Sequence, residues 1–253
     1  MMARTLGERS RQDSDRRLGM RLTFAVGAVA LFSVPFVLLL VLVLISFEPL
    51  NDLDEAIATG LHAYVLADPG YARLLGAWTD ILGPNTWRVL VVAAAAWAWY
   101  RGARRPAVWA VVTIAASGVL NVLIKEIVNR ARPVLPDPVS WAPGWSFPSG
   151  HAMAAATGAS VLVLMLLPRL RGPASRAAAW TLAAVPAVFV AYTRVALGVH
   201  WFSDVVAGLA LGVVVTAGTT AGFERWRREE GRRPAEPYVE GVEPEAFSRG
   251  DRE

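Results

Sequence analysis

The chain contains no cysteine, only three histidines and a single lysine, Lys125. Without cysteine it can form neither disulfides nor thiolate metal sites. Lys125 stands out because every other member of the 25 lysine and arginine residues in the 253-residue chain is arginine. It opens the segment 125–204, which also contains two of the histidines, His151 and His200. Chemistry that needs cations and imidazoles is therefore concentrated in this segment.

Long uncharged runs account for an apolar fraction of 55%, above the roughly 45–50% of soluble domains. The run Leu22–Phe47 carries no charge and exceeds the roughly 20 residues that span a bilayer. It is too long for a signal peptide and lacks a cleavage site, so it predicts a retained anchor helix. The other runs are Val89–Tyr100, Pro106–Ile124, Ala152–Pro168, Ala177–Thr193 and Val205–Phe223. The sequence thus predicts an all-α polytopic membrane protein with six transmembrane helices, the second of which needs residues 85–88 to cross.

Arginine placement predicts the orientation of these helices. Arginine clusters at 4–21, 101–105, 169–176 and 225–228 fall on one side of a six-span arrangement, which the positive-inside rule makes cytoplasmic. They border the apolar runs rather than forming a separate basic domain, which argues against nucleic acid as a partner. Lys125, Arg132 and Arg194, with Arg130 beside them, break the rule by lying on the outer side. Anion binding is a reason for their position, so we expect an active site at the extracytoplasmic end of the bundle.

The predicted organisation has one membrane domain with two tails. Residues 1–21 form a cytoplasmic tail, residues 22–223 form the six-helix domain, and residues 224–253, rich in Arg, Glu, Pro and Gly, form a disordered cytoplasmic tail. The extracytoplasmic loop 48–85 shows helical spacing and is either an interfacial lid or a packed connector. His62 lies in this loop, and we assign it a structural or interfacial role.

Three short motifs carry the expected chemistry. In the first, Lys125, Asn129 and Arg132 are spaced to share one face of a helix that Pro133 ends. They could bind an anion, or snorkel toward lipid headgroups.

The second motif is Pro148-Ser149-Gly150-His151, placed directly before an apolar, alanine-rich run. Proline suits the first turn of a helix, and a helix N-terminus offers unpaired N–H groups to an anion. The third is Arg194-x5-His200-x3-Asp204, in which the carboxylate lies one helical turn after the imidazole. Asp204 could accept a hydrogen bond from Nδ1 of His200 and leave Nε2 free to attack.

Together these segments resemble the type 2 phosphatidic acid phosphatase superfamily, in its membrane lipid phosphatase branch. The family pattern, K-x6-RP, PSGH and SR-x5-H-x3-D, is matched in order and internal spacing over about residues 86–222. Thr193 stands where the family usually has serine, so the hydroxyl is kept.

The resemblance implies a metal-independent hydrolase, without cofactor, that acts on lipid phosphates such as prenyl diphosphates or glycerolipid phosphates. His200 would form a phosphohistidine, Asp204 would orient His200, and His151 would be the general acid. The phosphoryl oxygens would be bound by the remaining motif residues, Lys125, Arg132, Ser149, Gly150 and Arg194.

Two other functions stay open at this point. A phosphotransferase would pass the phosphoryl group to an acceptor other than water, and a non-catalytic binder or transporter of lipid phosphates would keep the cations without needing both histidines and Asp204. Vanadium haloperoxidases resemble the same motifs, but six membrane spans argue against that activity.

Overall fold

The computed structural model describes residues 31–248. Within this range every regular element is a helix, which confirms the all-α prediction. In chain order the helices are α1 Leu31–Leu44, α2 Glu48–Leu66, α3 Pro69–Ile81, α4 Pro84–Tyr100, α5 Arg104–Val128, α6 Gly150–Leu166, α7 Pro173–Ala196, α8 Phe202–Glu229, α9 Pro237–Glu240 and α10 Pro244–Ser248. A 3₁₀ turn, Leu167–Arg169, follows α6.

Helix α6 is the centre of the bundle and packs against α4, α5, α7 and α8. Its sequence is apolar on every side and rich in alanine, which suits a helix surrounded by other helices. Large apolar side chains on the outer helices α5 and α7 are instead exposed, as expected for surfaces that face lipid: Val119, Val122, Leu182, Val185 and Val188.

Two glycines let α8 approach α6 closely. A Cβ atom at Gly208 would lie 2.6 Å from the carbonyl oxygen of Ser149, and one at Gly212 would lie 2.7 Å from that of Met153. Small residues four apart allow this backbone contact between membrane helices. The contact fixes the start of α8 against the start of α6, which is where the second and third motifs lie.

Residues 31–248 contain four or five candidate membrane spans, which does not confirm the prediction of six. Among the described residues, four helices are long and apolar enough to cross a membrane, namely α5, α6 with its 3₁₀ turn, α7 and α8. The count rises to five if α1 and α2, which meet at an angle of 100°, form one bent span. Helix α4 does include residues 85–88 but has only 17 residues. Of the predicted first span, residues 22–30 lie outside the described residues, as does the N-terminal tail 1–21.

The segment 224–248 is folded, contrary to the disordered tail expected from its composition. Helix α8 continues to Glu229, and the chain then returns over the end of α6, where the Val242 amide donates to the Leu164 carbonyl oxygen at 3.0 Å. Val242 and Phe247 join the apolar core there. Arg227 is 1% exposed and pairs with Glu224 and Glu245. Mutual neutralisation of these charges allows a polar sequence to pack.

Candidate active site

Four helix termini meet at one end of the bundle and bring the three motifs together. Antiparallel packing places the C-terminal ends of α5 and α7 beside the N-terminal ends of α6 and α8. Lys125 and Arg194 lie in the last turns of α5 and α7. Ser149 caps α6, and Asp204 lies in the first turn of α8. All eight residues of the three motifs that were assigned to the site lie at this end.

The spacing of the first motif predicted that its residues share one face of a helix. The structure shows that they do not. Helix α5 ends at Val128, and Asn129 adopts a left-handed conformation with φ 51° that stops the helix before Arg132. Arg132 therefore lies in the loop between α5 and α6. Asparagine tolerates this conformation better than most residues. The asparagine at position 129 was therefore a signal in the sequence that the helix could end there.

Backbone carbonyl groups hold the two cations of this motif. Arg132 donates to the carbonyl oxygens of Pro143 and Gly144, each at 2.9 Å, and to that of Val199 at 2.6 Å. Lys125 donates through Nζ to the carbonyl oxygens of Trp145 and Ser146. Cations held by neutral carbonyl groups keep their net positive charge available to an anion.

The second motif forms the start of α6. The Ser149 amide donates to the Asp204 carbonyl oxygen at 3.0 Å, which links α6 to α8. The Ser149 hydroxyl is buried and has no hydrogen-bond partner among the described residues. A Cβ atom at Gly150 would lie 3.0 Å from Oδ1 of Asn121, so glycine fits closely there. His151 follows in the first turn and interacts electrostatically with His200, Arg194, Arg132 and Lys125.

Helix α3 supports Arg194, which is 5% exposed. Its Nη1 contacts the Thr79 hydroxyl at 3.4 Å, and its Nε is buried without a partner in the described part of the chain. The hydroxyl of Thr193, the residue that departs from the family pattern, donates to the Val190 carbonyl oxygen at 2.8 Å and lies 3.0 Å from the same Thr79 hydroxyl. The threonine is thus accommodated by a hydroxyl from α3.

The His200 ring lies between an acceptor and a donor. Nδ1 lies 3.3 Å from Oδ2 of Asp204, and Nε2 lies 3.1 Å from Nη1 of Arg132. Since a guanidinium can only donate, Nε2 is the acceptor and the ring proton is on Nδ1. Burial lowers the pKa of His200 to about 4, against the opposing effect of Asp204. The imidazole is therefore neutral at pH 7, with its Nε2 lone pair directed at the cationic site.

Sequence reasoning missed a second layer of residues behind His200. Asp54, on α2, is fully buried and accepts from Nη2 of Arg130 at 2.8 Å and from the Ser203 amide at 2.8 Å. Arg130 also donates through Nη1 to Oδ1 of Asp204 at 2.8 Å. An arginine against the charge bias was a signal for Arg130, whereas Asp54 resembled the other carboxylates of the acidic loop 48–85.

A mostly apolar cavity of about 520 Å³ adjoins the site on the side of Arg132. Its walls include Leu135, Trp141 and Trp145 from the α5–α6 loop, together with His62 from α2. His62 is 3% exposed, and its Nε2 lies 2.9 Å from the Pro136 carbonyl oxygen. It therefore joins α2 to the loop. Within residues 31–248 no group of three or more His, Asp or Glu side chains is placed to hold a metal ion.

Comparison with known proteins supports the resemblance drawn from the motifs. Residues 106–228 match the family model described as the PAP2 superfamily. The chain is 37% identical over 98 residues to phosphatidylglycerophosphatase B of Bacillus subtilis (strain 168), an alignment that covers 38% of this chain and 48% of that protein. It is 32% identical over 122 residues to the undecaprenyl-diphosphatase of Sulfolobus acidocaldarius, covering 45% and 53% respectively. The chain thus spans about half the length of these relatives.

The fold is also similar to a solved structure. The transmembrane PAP2-type phosphatidylglycerolphosphate phosphatase from Bacillus subtilis superposes with a TM-score of 0.67 at 24% identity, covering 83% of this chain and 98% of the other. The two proteins therefore share an arrangement of helices. Together with the apolar helices described above, this likeness is consistent with an integral membrane protein.

Proposed function

We propose, from the match of residues 106–228 to the PAP2 superfamily model, that this protein is an integral-membrane lipid phosphatase. It would hydrolyse a phosphate monoester or diphosphate of a lipid, by way of a phosphohistidine and without a metal ion. One observation carries the proposal. A neutral, buried His200 is backed by Asp204 and has its free nitrogen 3.1 Å from Arg132, a cation suited to bind the phosphoryl group under attack.

The proposed reaction has two displacements at phosphorus. Nε2 of His200 attacks the terminal phosphorus atom, and the bond from that phosphorus to the leaving oxygen breaks as His151 gives this oxygen a proton. The leaving group is the lipid alcohol for a monoester and the lipid monophosphate for a diphosphate. Water then attacks the phosphohistidine, His151 takes the proton from the water, and inorganic phosphate leaves as the N–P bond breaks. A general acid–base group of this kind contributes about 10²–10⁴-fold to the rate.

Charge stabilisation is the larger contribution expected from this site. Phosphoryl transfer depends mainly on positioning and on donors directed at the phosphoryl oxygens, each worth roughly 3–4 kcal/mol in a preorganised site. Lys125, Arg132 and Arg194 would supply cations, and the Ser149 hydroxyl with the Gly150 amide would supply neutral donors. Oγ of Ser149 and Nε of Arg194 are buried and have no hydrogen-bond partner within residues 31–248. This supports the role, because buried polar groups are nearly always hydrogen-bonded.

The lipid would enter from the outer leaflet, with both chain termini in the cytoplasm. The positive-inside pattern of the arginine clusters supports this orientation. The names of the two curated relatives point to two classes of substrate, a glycerolipid phosphate and a prenyl diphosphate. The mostly apolar cavity beside Arg132 gives the part of the substrate next to the phosphate a place to bind.

Phosphate release by purified protein in detergent tests this function. The panel contains undecaprenyl diphosphate, phosphatidic acid, phosphatidylglycerol phosphate and a water-soluble phosphomonoester, each with EDTA. We expect release from at least one lipid in EDTA, and none from a His200→Ala variant that inserts and unfolds like the wild type. Equal turnover by that variant would disprove the histidine mechanism.

Candidate acceptor alcohols added to the same reactions separate a hydrolase from the phosphotransferase alternative. A hydrolase yields only inorganic phosphate, whereas a transferase yields a new phosphorylated alcohol. Binding of a lipid phosphate without turnover would instead favour the binder or transporter.

A further inference from the structure

Helix α2 reaches the catalytic histidine of the proposed phosphatase through a chain of buried charges. Asp54 contacts Arg130, Arg130 contacts Asp204, and Asp204 contacts His200. The side chains of Asp54, Asp204 and Arg130 are 1%, 0% and 12% exposed. Arg130 is not one of the motif residues, and Asp54 lies outside the segment 106–228 that matches the family.

The geometry of Arg130 requires both carboxylates. Its Nη2 donates to Oδ2 of Asp54 and its Nη1 to Oδ1 of Asp204, each at 2.8 Å. Nη1 also donates to the Ser203 hydroxyl at 2.7 Å, and that hydroxyl donates in turn to Asp54. The guanidinium lies over the Trp201 ring, 5.6 Å from its centroid. These contacts restrain the orientation of the planar guanidinium.

As a result, the two carboxylate oxygens of Asp204 have different partners. Oδ1 is occupied by Arg130, and Oδ2 faces both the Trp201 amide at 2.9 Å and Nδ1 of His200 at 3.3 Å. With the carboxylate unable to rotate, the proton of the His200 ring stays on Nδ1. Without Asp54, the Arg130 charge would be balanced by Asp204 alone, and less of the Asp204 charge would serve the imidazole.

We infer that Asp54 is a positioning residue of the reaction, which acts through Arg130 to hold Asp204 in the orientation that keeps Nε2 of His200 unprotonated. This role rests on the proposed function, since it concerns the same histidine. It makes α2 a part of the active site rather than the lid or connector expected from its sequence. Asp54 contacts none of the phosphate-binding side chains, so it should act on the rate and not on anion affinity.

The test is Asp54→Asn, which can keep the bond from the Ser203 amide and loses the charge that faces Arg130. We expect kcat to fall roughly 10–100-fold, as when outer partners of a ligating group are removed. KM for the lipid and the inhibition constant of inorganic phosphate should change by less than about twofold, because no phosphate-binding donor is altered. In an Arg130→Gln background the same change should cause little further loss, because coupled residues are non-additive.

The matched control is Glu55→Gln, which neutralises the next residue of α2, an exposed carboxylate. It should behave like the wild type. Should Asp54→Asn fail to fold, Arg130→Lys provides the second variant. A lysine is a point charge that cannot bridge both carboxylates, so the same loss of kcat at constant KM is expected. The inference is overturned if folded Asp54→Asn or folded Arg130→Lys keeps the wild-type kcat. It is also overturned if Glu55→Gln loses as much kcat as Asp54→Asn.

A readout independent of turnover comes from ¹⁵N NMR of histidine-labelled protein, which contains only three histidines. The wild type should show His200, assigned by its loss in His200→Ala, protonated on Nδ1, and Asp54→Asn should shift the His200 Nδ1 resonance because the hydrogen bond to Asp204 changes. Unchanged His200 resonances in the variant count against the positioning role. If the wild type releases no phosphate from any lipid, the proposed function fails while the NMR comparison still decides the role of Asp54.

Discussion

Nη1 of Arg132 lies 3.1 Å from Nε2 of His200, although 68 positions separate the two residues in the chain. The guanidinium expected to bind the phosphoryl group is thus in contact with the nitrogen expected to attack it. An incoming phosphoryl oxygen can take over this N–H group, which releases the lone pair of Nε2 as the phosphorus arrives. In the proposed reaction, Arg132 would therefore couple substrate binding to activation of the nucleophile.

Arg132→Lys should show how far the planar guanidinium matters. A lysine keeps the charge but cannot contact the carbonyl groups and His200 at once. We expect kcat/KM for the preferred lipid phosphate to fall about 100-fold, near the effect of losing one preorganised donor. Arg73→Lys, at an exposed position on α3, is the control and should leave the steady-state rate unchanged.

The decrease of kcat/KM at acid pH, the acid limb of the pH profile, should report the protonation of His200. Burial, with a smaller contribution from Arg132, lowers the pKa of His200 to about 4. Since only the neutral ring can attack, kcat/KM should fall as the pH decreases through about 4, rather than through the usual value near 6.5. Removal of the cation in Arg132→Gln should raise the pKa and move this limb to higher pH. An acid limb at the same pH in the wild type and in Arg132→Gln would contradict the assignment of His200 as the nucleophile.

Ser149→Ala should separate stability from activity. The Ser149 hydroxyl is buried without a partner among the described residues, so removing it should leave the melting temperature unchanged or raise it. If the hydroxyl donates to a phosphoryl oxygen, kcat/KM should nevertheless fall roughly 10-fold or more. Thermal unfolding and phosphate release on the same preparation check both statements. A loss of stability without a loss of activity would assign Ser149 to the fold alone.

Gly212→Ala should weaken the contact between α6 and α8. The added Cβ would lie 2.7 Å from the Met153 carbonyl oxygen and 2.8 Å from the Ala156 Cβ. Overpacking of this kind destabilises by about 1–3 kcal/mol, which thermal unfolding in detergent can detect. Gly222→Ala is the control on the same helix, because a Cβ there meets nothing within 4 Å. Alanine also favours a helix over glycine by about 1 kcal/mol, so the control should be as stable as the wild type or more so.

Arg227→Met should test whether the folded C-terminal segment stabilises the bundle. Arg227 pairs with Glu224 at 2.9 Å in a buried position, and removal of one partner of a buried pair costs about 3 kcal/mol or more. We expect a lower melting temperature and exposure of the segment 230–248 to proteolysis. Arg225→Met removes the exposed pair with Glu229 and should cause no measurable change. Equal melting temperatures of the two variants would contradict a structural role for the segment.

Local patterns in the sequence were enough to predict the helices and the residues of the site. The four-residue spacing of His200 and Asp204 predicted their contact, since side chains one turn apart at the start of a helix lie on one face. Apolar runs predicted the central helices because such runs are stable only in lipid or in a helical core. The motif residues Lys125 and Arg194 were recognised through their position against the arginine bias.

The prediction from residue spacing was wrong where the backbone conformation ends a helix early. Asn129 has a left-handed conformation that ends α5, so Arg132 reached the site from a loop and not from the predicted helix face. Composition misled at the C-terminus, because the segment 224–248 is polar overall but pairs its charges around buried Val242 and Phe247. Neither outcome could follow from hydropathy alone.

By itself the sequence determined the candidate residues of the site, the helical character of the fold and the short-range pair of His200 and Asp204. Only the tertiary structure decided that Arg132 touches His200 and that Asp54 reaches Asp204 through Arg130. The physical reason is that short-range contacts follow from helical periodicity, whereas contacts between residues 68 to 76 positions apart depend on how whole helices pack. In this protein that packing depends on the close approach of α8 to α6 at Gly208 and Gly212.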